Sequence, residues 1–264
     1  MTSSDWVWVV LAAAAFAAGA LNSIAGGGTL LTFPALLAVV APEVANATST
    51  IAVFPGSIAG AVGYRQELWA ARRFALQMLP ASLLGGIAGS LLVVLYPNEF
   101  GPLVPWLIFT AALLFLIQQP LNKLLKRRQV DFTQHPSPAM LAGLMAFQFA
   151  VAVYGGYFGA GIGILMLASL GFMGIGDINK ANGVKTFLAS AINSVAVIIF
   201  LTEGRERGPG YTGLVYWPYA LVMAASAIVG GFVGAKLAKR MPAQAVRWLV
   251  VAIGFGLALF YAIK

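Results

Sequence analysis

The sequence contains no cysteine and little charge, and both shortages restrict what the protein can be. Without cysteine there is no disulfide framework, no cysteine-ligated metal site and no thiol nucleophile. Charged residues make up 9% of the 264 residues, against about a quarter in an ordinary soluble domain. So few charged side chains cannot cover a surface in water, and the chain is therefore expected to lie in a membrane.

Acidic residues and histidine are scarce as well. All eight acidic residues lie in loops or at the ends of apolar segments, which argues against an intramembrane protease or a carboxylate-coupled cation pump. The single histidine, His135, has no partner at metal-ligand spacing. We therefore predict no enzyme activity, no metal and no cofactor. The net charge of +8 is interpreted as loop charge that orients the chain in the lipid bilayer, not as a surface for nucleic acid.

Long apolar runs are what the sequence has in abundance. Hydrophobic residues make up 60% of the chain, and charge-free runs include 6–42, 74–98, 136–176 and 208–235. About 18–20 apolar residues span a bilayer as a helix. The pattern predicts an all-α polytopic membrane protein in the cell membrane, with no room for a soluble catalytic domain.

An internal repeat organises these runs. Residues 25–63 align without gaps on 159–197, and after an insertion in the second copy the alignment resumes with Gly85 on Gly230. Two homologous membrane repeats and a basic cytoplasmic linker are expected. The first repeat is 1–120, the linker is 121–137, and the second repeat is 138–264.

Each repeat contains five apolar segments, of which the second is short and follows a glycine cluster. Such a short segment can cross the membrane or enter and return on one side. The predicted segments of the first repeat are 6–24, 29–41, 46–63, 74–96 and 102–120. Those of the second repeat are 138–157, 162–173, 182–202, 214–238 and 244–263.

Loop charges favour ten crossings. If all ten segments cross, the three basic loops and Lys180 place 12 of the 16 basic residues on the cytoplasmic side. An odd number of crossings per repeat also turns the second repeat upside down. Inverted repeats with broken helices are a common transporter plan, and we expect this fold.

The two glycine clusters are the first candidate substrate site. Irregular backbone at membrane depth survives only where protein or a water-filled cavity covers it. A half-helix that begins after such a break points free N–H groups and its positive end into the membrane, which suits an anion. The alternative is that the glycines only allow close packing of helices. The candidate residues are Asn22, Ser23, Gly26, Gly27, Gly28 and Thr29 in the first cluster, and Tyr157, Gly161 and Gly163 in the second.

Polar residues near the start of each third segment are the second candidate. Thr48, Ser49, Asn182 and Thr186 can donate to a substrate oxyanion, or they can cap a helix. Asn46 and Lys180 are expected nearer the surface, where the two roles weigh equally.

Lys185 lies within an apolar segment, where an ionisable residue is costly and suggests function. Its long side chain can instead reach the interface. Other polar residues in apolar surroundings can each bond a neighbouring helix; they are Gln148, Tyr154, Tyr157, Ser190 and Asn193.

The sequence resembles the sulfite exporter TauE/SafE family of membrane permeases. The resemblance rests on Asn22–Gly28 with Pro34, on Ala47–Ser49, on Gly155–Gly163, and on the late glycines Gly230, Gly231 and Gly234 with Pro242 and Arg247. Ile162 and Lys185 depart from the usual pattern. The resemblance implies transport, often outward, of small sulfur-containing anions such as sulfite, sulfoacetate or related sulfonates, and a possible homodimer.

Two other functions are compatible with the residues. A permease or importer for another small solute shares every feature except the preference for anions. A membrane scaffold that transports nothing is also apolar and repeated, but it does not need paired glycine breaks.

Overall fold

The computed structural model describes residues 3–24, 28–125, 137–172, 175, 177–205, 207–237, 256 and 259. Within these residues the chain is helical apart from one short hairpin. The first-repeat helices are α1 (Ser3–Ile24), α2 (Thr29–Leu37), α3 (Pro42–Gly63), α4 (Arg65–Ala70), α5 (Arg72–Leu95) and α6 (Pro97–Leu125). They are followed by α7 (Pro138–Tyr157), α8 (Ile162–Phe172), α9 (Ile178–Thr202), the strands β1 (Tyr211–Thr212) and β2 (Val215–Tyr216), and α10 (Trp217–Leu237).

The predicted apolar segments correspond to helices, with differences at their ends. Helix α3 begins four residues before the predicted boundary, at Pro42, because proline fits the first turn of a helix and Glu43 complements its positive end. Its polar residues therefore lie inside the helix and do not open it. The tenth predicted segment, 244–263, lies outside the described residues except for Gly256 and Leu259, which are helical.

Two elements were not predicted, and both lie between helices. The short helix α4 occupies the first basic loop, between α3 and α5. The hairpin lies in the insertion of the second repeat, where Tyr211 pairs with Tyr216 and Thr212 with Val215. Gly213 in its turn has a φ of 56°, which a residue with a side chain rarely adopts.

Helices α5 and α7 run in the same direction at very close range. Ser82 of α5 contacts Gln148 of α7, and seven residues later the backbone at Gly89 approaches Val153 and Tyr157. A Cβ at Gly89 would meet the Val153 carbonyl. The glycines of α5 therefore allow contact between the two backbones, as small residues do between membrane helices.

Helices α1 and α10 form a second pair of the same kind. The ring of Trp8 contacts that of Tyr219 near their beginnings, and Gly19 lies against Ala227 and Gly231 further along. A Cβ at Gly230 would meet the Phe16 carbonyl. This pair joins the first helix of one half to the last described helix of the other.

Helices α3 and α9 run in opposite directions across the centre. Asn193 Nδ2 of α9 donates to Ser57 Oγ of α3 at 3.5 Å. Gly183, near the start of α9, lies against Leu68, which follows the end of α3. Ile192 of α9 also lies against Gly86 of α5. Since α4 leads directly into α5, α9 and α5 begin at the same end of the bundle.

The buried side chains form two apolar clusters. One joins α1, α2, α3, α6, the hairpin and α10 with single residues or pairs from α5, α8 and α9, and the other joins α5, α7, α8 and α9. Three described helices are long and apolar enough to cross a membrane: Arg72–Leu95, Pro138–Tyr157 and Asn179–Thr202. Two shorter apolar stretches, Asp5–Ala20 and Trp217–Val233, belong to the α1–α10 pair.

Candidate functional site

The first glycine break is closed by an amide side chain. Asn22 Oδ1 accepts the N–H of Gly28 at 2.8 Å, just before α2 begins at Thr29. Gly28 is buried, and a Cβ there would stand against the Ala18 carbonyl. The side-chain oxygen of Asn22 thus pairs the N–H of Gly28 within the protein. The candidates Gly26 and Gly27, and the side chain of Ser23, lie outside the described residues.

The hydroxyl groups of the first half bond to other parts of the protein. Thr32 Oγ1 of α2 and Ser49 Oγ of α3 are 2.6 Å apart, and both side chains are fully buried. Thr48 Oγ1 accepts the N–H of Tyr216 at 3.1 Å and so attaches the hairpin to α3. The structure therefore brings Thr48 and Ser49 into helix and hairpin contacts. Neither faces the second glycine break.

Asn46 joins the two halves. Its Nδ2 donates to the carbonyl of Tyr157, the last residue of α7, at 3.0 Å. The expectation that Asn46 lies nearer the surface was wrong, since it is 1% exposed. The early start of α3 explains the difference, because it places Asn46 in the second turn of the helix, where it reaches the end of α7.

The second glycine break is held open by backbone conformations that only glycine adopts easily. Gly159 and Gly161 have φ values of 74° and 77°. Tyr154 OH donates to the Ala160 carbonyl at 2.7 Å and fixes the loop from the side of α7. Gly161 lies against Ala111, the central residue of the 29-residue helix α6. Helix α8 therefore starts deep within the bundle.

The first turn of α8 leaves one main-chain donor, the N–H of Gly163, without a main-chain acceptor among the described residues. The N–H groups of Ile164 and Leu165 bond to the Gly161 carbonyl. An unpaired N–H group and the positive end of the helix favour an anion at this point.

Lys185 lies beside this helix start. Its Cδ is 3.6 Å from the position that a Cβ on Gly163 would occupy. Within the described part of the chain, its ammonium group makes no hydrogen bond or ion pair. The lack of a side chain at Gly163 gives the lysine room against α8. Lys180, one and a half turns earlier, is exposed.

The two remaining polar candidates of α9, Thr186 and Asn182, differ in whether their side chains are free to reach the start of α8. Thr186 Oγ1 donates to the carbonyls of Asn182 and Gly183 at 2.8 and 3.1 Å, so this hydroxyl turns back onto its own helix. Asn182 is half-buried and shares a face of α9 with Lys185. Gly161, Gly163 and Lys185 come together, whereas the carbonyl of Tyr157 is bonded to Asn46 of the first half.

Sequence reasoning missed Thr32 and Ser82, each of which bonds a neighbouring helix. Thr32 lies in a short apolar segment, and Ser82 lies one turn before the paired glycines of α5. A serine or threonine on the same helical face as small residues is a usable signal, because close helix contacts bring its hydroxyl within reach of the partner. That signal requires knowledge of the facing helix.

The described helices of membrane-spanning length define a multi-pass membrane protein. The family model described as "Sulfite exporter TauE/SafE" matches residues 11–261, and the chain belongs to this family. This is a family of transporters and not of enzymes.

Named relatives agree with this assignment over most of the chain. The "Probable membrane transporter protein ORF9" of Sinorhizobium sp is 29% identical, over 93% of this chain and 88% of its own. A "Probable membrane transporter protein" of Haemophilus influenzae is 26% identical, over 93% and 91%. The "Probable membrane transporter protein YfcA" of Escherichia coli K12 is 28% identical, over 88% and 79%. No solved structure matches the chain.

Proposed function

We propose that this protein exports small sulfur-containing anions, such as sulfite, sulfoacetate or related sulfonates, across the cytoplasmic membrane by alternating access. The observation that carries the proposal is the unpaired Lys185 beside Gly163, at the buried start of α8. The anionic class follows from the charge of that site. The sulfur chemistry follows from the description of the family.

The helix contacts support two inverted repeats, residues 1–120 and 138–264. The first helix of each repeat packs in the same direction against the fourth apolar helix of the other, as α1 with α10 and as α7 with α5. The third helices, α3 and α9, meet each other in opposite directions. These contacts are those expected if one repeat is turned over onto the other. Alternating access is commonly built on such an arrangement.

The same contacts support ten crossings. Helix α7 ends beside the end of α5, where Tyr157 lies against Gly89, whereas α9 begins at the opposite end beside α4. The segment between α7 and α9 therefore passes from one end of the bundle to the other, and α8 is the helical part of that passage. Half-helices that end near the middle of the membrane are typical substrate sites of transporters.

The membrane potential supplies a direction for transport. Moving one charge across 100 mV changes the free energy by about 2.3 kcal/mol. Because the cell interior is negative, this term favours the exit of an anion, and export needs no coupled ion. An efflux rate that does not change when the potential is clamped to zero would contradict this mode of driving.

The decisive experiment compares two lysines of the same helix. Proteoliposomes are loaded with labelled sulfite, sulfoacetate, thiosulfate or taurine, and efflux is measured for wild type, Lys185→Ala and Lys180→Ala. We expect selective efflux of an anion by wild type, a loss of about tenfold or more in Lys185→Ala, and little change in Lys180→Ala, because charge-assisted hydrogen bonds to a buried anion contribute about 1.5–3 kcal/mol.

The outcomes separate the alternatives. Equal efflux by all three proteins would remove Lys185 from the site and leave the glycine breaks as the remaining candidate. Transport of neutral solutes in place of anions would identify a permease of another class. Complete absence of flux from correctly folded protein would favour a membrane scaffold.

A further inference from the structure

A buried amide oxygen without a partner lies between α5 and α7. Gln148 is fully buried, and its Nε2 donates to Ser82 Oγ at 2.9 Å. Ser82 in turn donates to the Met78 carbonyl at 2.9 Å, so its hydroxyl can only accept from the amide. These bonds fix which end of the amide faces Ser82. Gln148 Oε1 is left with no donor among the described residues.

Helix geometry places this oxygen at the level of Lys185. Ile192 of α9 lies against Gly155 of α7, at 3.4 Å from the position of a Cβ there. Gln148 lies seven residues before Gly155, and Lys185 lies seven residues before Ile192. Seven residues are nearly two turns and return to the same face of a helix. Because α7 and α9 both run alongside α5 in its direction, Gln148 and Lys185 lie at one depth on neighbouring faces.

The two groups offer complementary chemistry. Within the described part of the chain, the ammonium of Lys185 and the N–H of Gly163 are donors without acceptors, whereas Gln148 Oε1 is an acceptor without a donor. A simple oxyanion has only acceptors, so it would satisfy the first two groups and leave the amide oxygen unpaired. Leaving a buried polar group unpaired weakens binding strongly, and sites of this kind reject ligands that lack the matching group.

We infer that the site selects small oxyanions that also carry one hydrogen-bond donor. The anionic oxygens face Lys185 and the start of α8, and an O–H or N–H group of the same ligand donates to Gln148 Oε1. Hydroxysulfonates belong to this class, and alkylsulfonates do not. This inference rests on the proposed anion transport and narrows its substrate class. Ionised sulfite and sulfoacetate carry no donor, so we expect them to be exported less well than hydroxysulfonates.

The test compares two sulfonates of equal charge and similar size. In 2-hydroxyethanesulfonate a hydroxyl stands where propane-1-sulfonate has a methyl group. Efflux of each is measured from proteoliposomes containing wild type or Gln148→Leu, with sulfite as a third ligand. We expect wild type to prefer the hydroxysulfonate by about tenfold, the value of one good hydrogen bond. Gln148→Leu should reduce the preference to within about twofold, because the hydroxysulfonate loses its acceptor and the alkylsulfonate no longer leaves a buried oxygen unpaired.

A second pair of variants tests the inference even if Gln148→Leu does not fold. Ser82→Ala removes the bond that orients the amide and should lower the preference without changing the size of Gln148. Ser90→Ala is the matched control on the same helix, because Ser90 Oγ bonds only carbonyls of its own helix, including that of Gly86 at 2.6 Å. Its preference should equal that of wild type.

The results distinguish this inference from the proposed function. If wild type moves both sulfonates at equal rates, anion transport stands and the donor requirement is wrong. A preference that survives in both Gln148→Leu and Ser82→Ala also overturns the inference, because the donor is then recognised elsewhere. If wild type moves neither sulfonate and no sulfite, the proposed function fails together with it.

Discussion

The two halves of the molecule, which we propose to be repeats of one scaffold, differ in chemistry. In the first half α2 and α3 are joined by the buried Thr32–Ser49 pair, and the residue aligned with Lys185 is Ile51. In the second half the positions aligned with that pair are Met166 and Gly183, and α8 faces the lysine. In the first half, therefore, side-chain hydroxyls of α2 and α3 pair with each other. In the second half, α8 and α9 leave donors unpaired among the described residues.

This difference supports a substrate site whose anion-binding groups all come from the second half. If both halves bound substrate alike, we would expect equivalent donors at both breaks. The N–H of Gly28 at the first break is instead satisfied by Asn22 within the protein. In the proposed transporter, the repeat supplies the geometry of two broken helices, and the departures from the repeat determine where the anion binds.

The largest expected effect concerns the feature that the halves share, the glycine contacts between paired helices. Gly85→Val and Gly230→Val occupy aligned positions, and each would drive a Cβ into a main-chain carbonyl, of Phe149 and of Phe16 respectively. We expect each to destabilise the protein by about 3 kcal/mol, because backbone cannot give way as a side chain can. Thermal unfolding in detergent would measure both.

Gly143→Val is the control for this pair, since nothing lies within 4 Å of a Cβ at that position. Its unfolding midpoint should stay close to that of wild type. If Gly85→Val proved severe and Gly230→Val harmless, the two helix pairs would not be equivalent, and the structural comparison of the halves would fail.

A smaller effect is expected at the attachment of the hairpin, which only the second half possesses. Thr48→Val removes the acceptor of the Tyr216 N–H and should cost about 1–2 kcal/mol, because it leaves a buried donor unpaired. Thr186→Val removes a hydroxyl that bonds only carbonyls of its own helix, and its cost should be smaller. Equal shifts in the unfolding midpoints of the two variants would show that Thr48 does not hold the hairpin.

The smallest effect concerns the bond that only the first half possesses. In a double-mutant cycle with Thr32→Val and Ser49→Ala, we expect a coupling energy of about 1 kcal/mol, typical of one hydrogen bond. The two single variants and the double variant are compared by thermal unfolding. Additive effects would mean that the two hydroxyls do not stabilise each other. The two halves would then not differ by a stabilising bond at Thr32 and Ser49 and the aligned positions Met166 and Gly183.

Much of the helical framework could be predicted from the sequence, because membrane-spanning helices depend on length and apolarity alone. The segment 138–157 coincides with α7, and the breaks before α2 and α8 follow the two glycine clusters. The burial of Asn46 could not be predicted, since it depends on the start of α3 at Pro42 and on contact with the end of α7 in the other half.

The candidate site was predicted in part for a similar reason. Lys185 and Gly163 could be named individually, because a charge in an apolar run and a glycine after a break are local signals. The bonding of Thr48 and Ser49 to other protein groups could not be foreseen, since each partner lies on another element. Sequence indicates which groups are polar at depth, and packing decides which of them stay unpaired.

The pairing of α1 with α10 has a consequence for the synthesis of the protein. The ribosome completes α1 first, yet the helix on which its glycine face packs begins only at Trp217. Until α10 has been synthesised, α1 lies in the bilayer or beside the insertion machinery without the helix that packs on Gly19. Release of the chain after the first half would leave that face without its partner, so assembly must continue until nearly the whole polypeptide has entered the membrane.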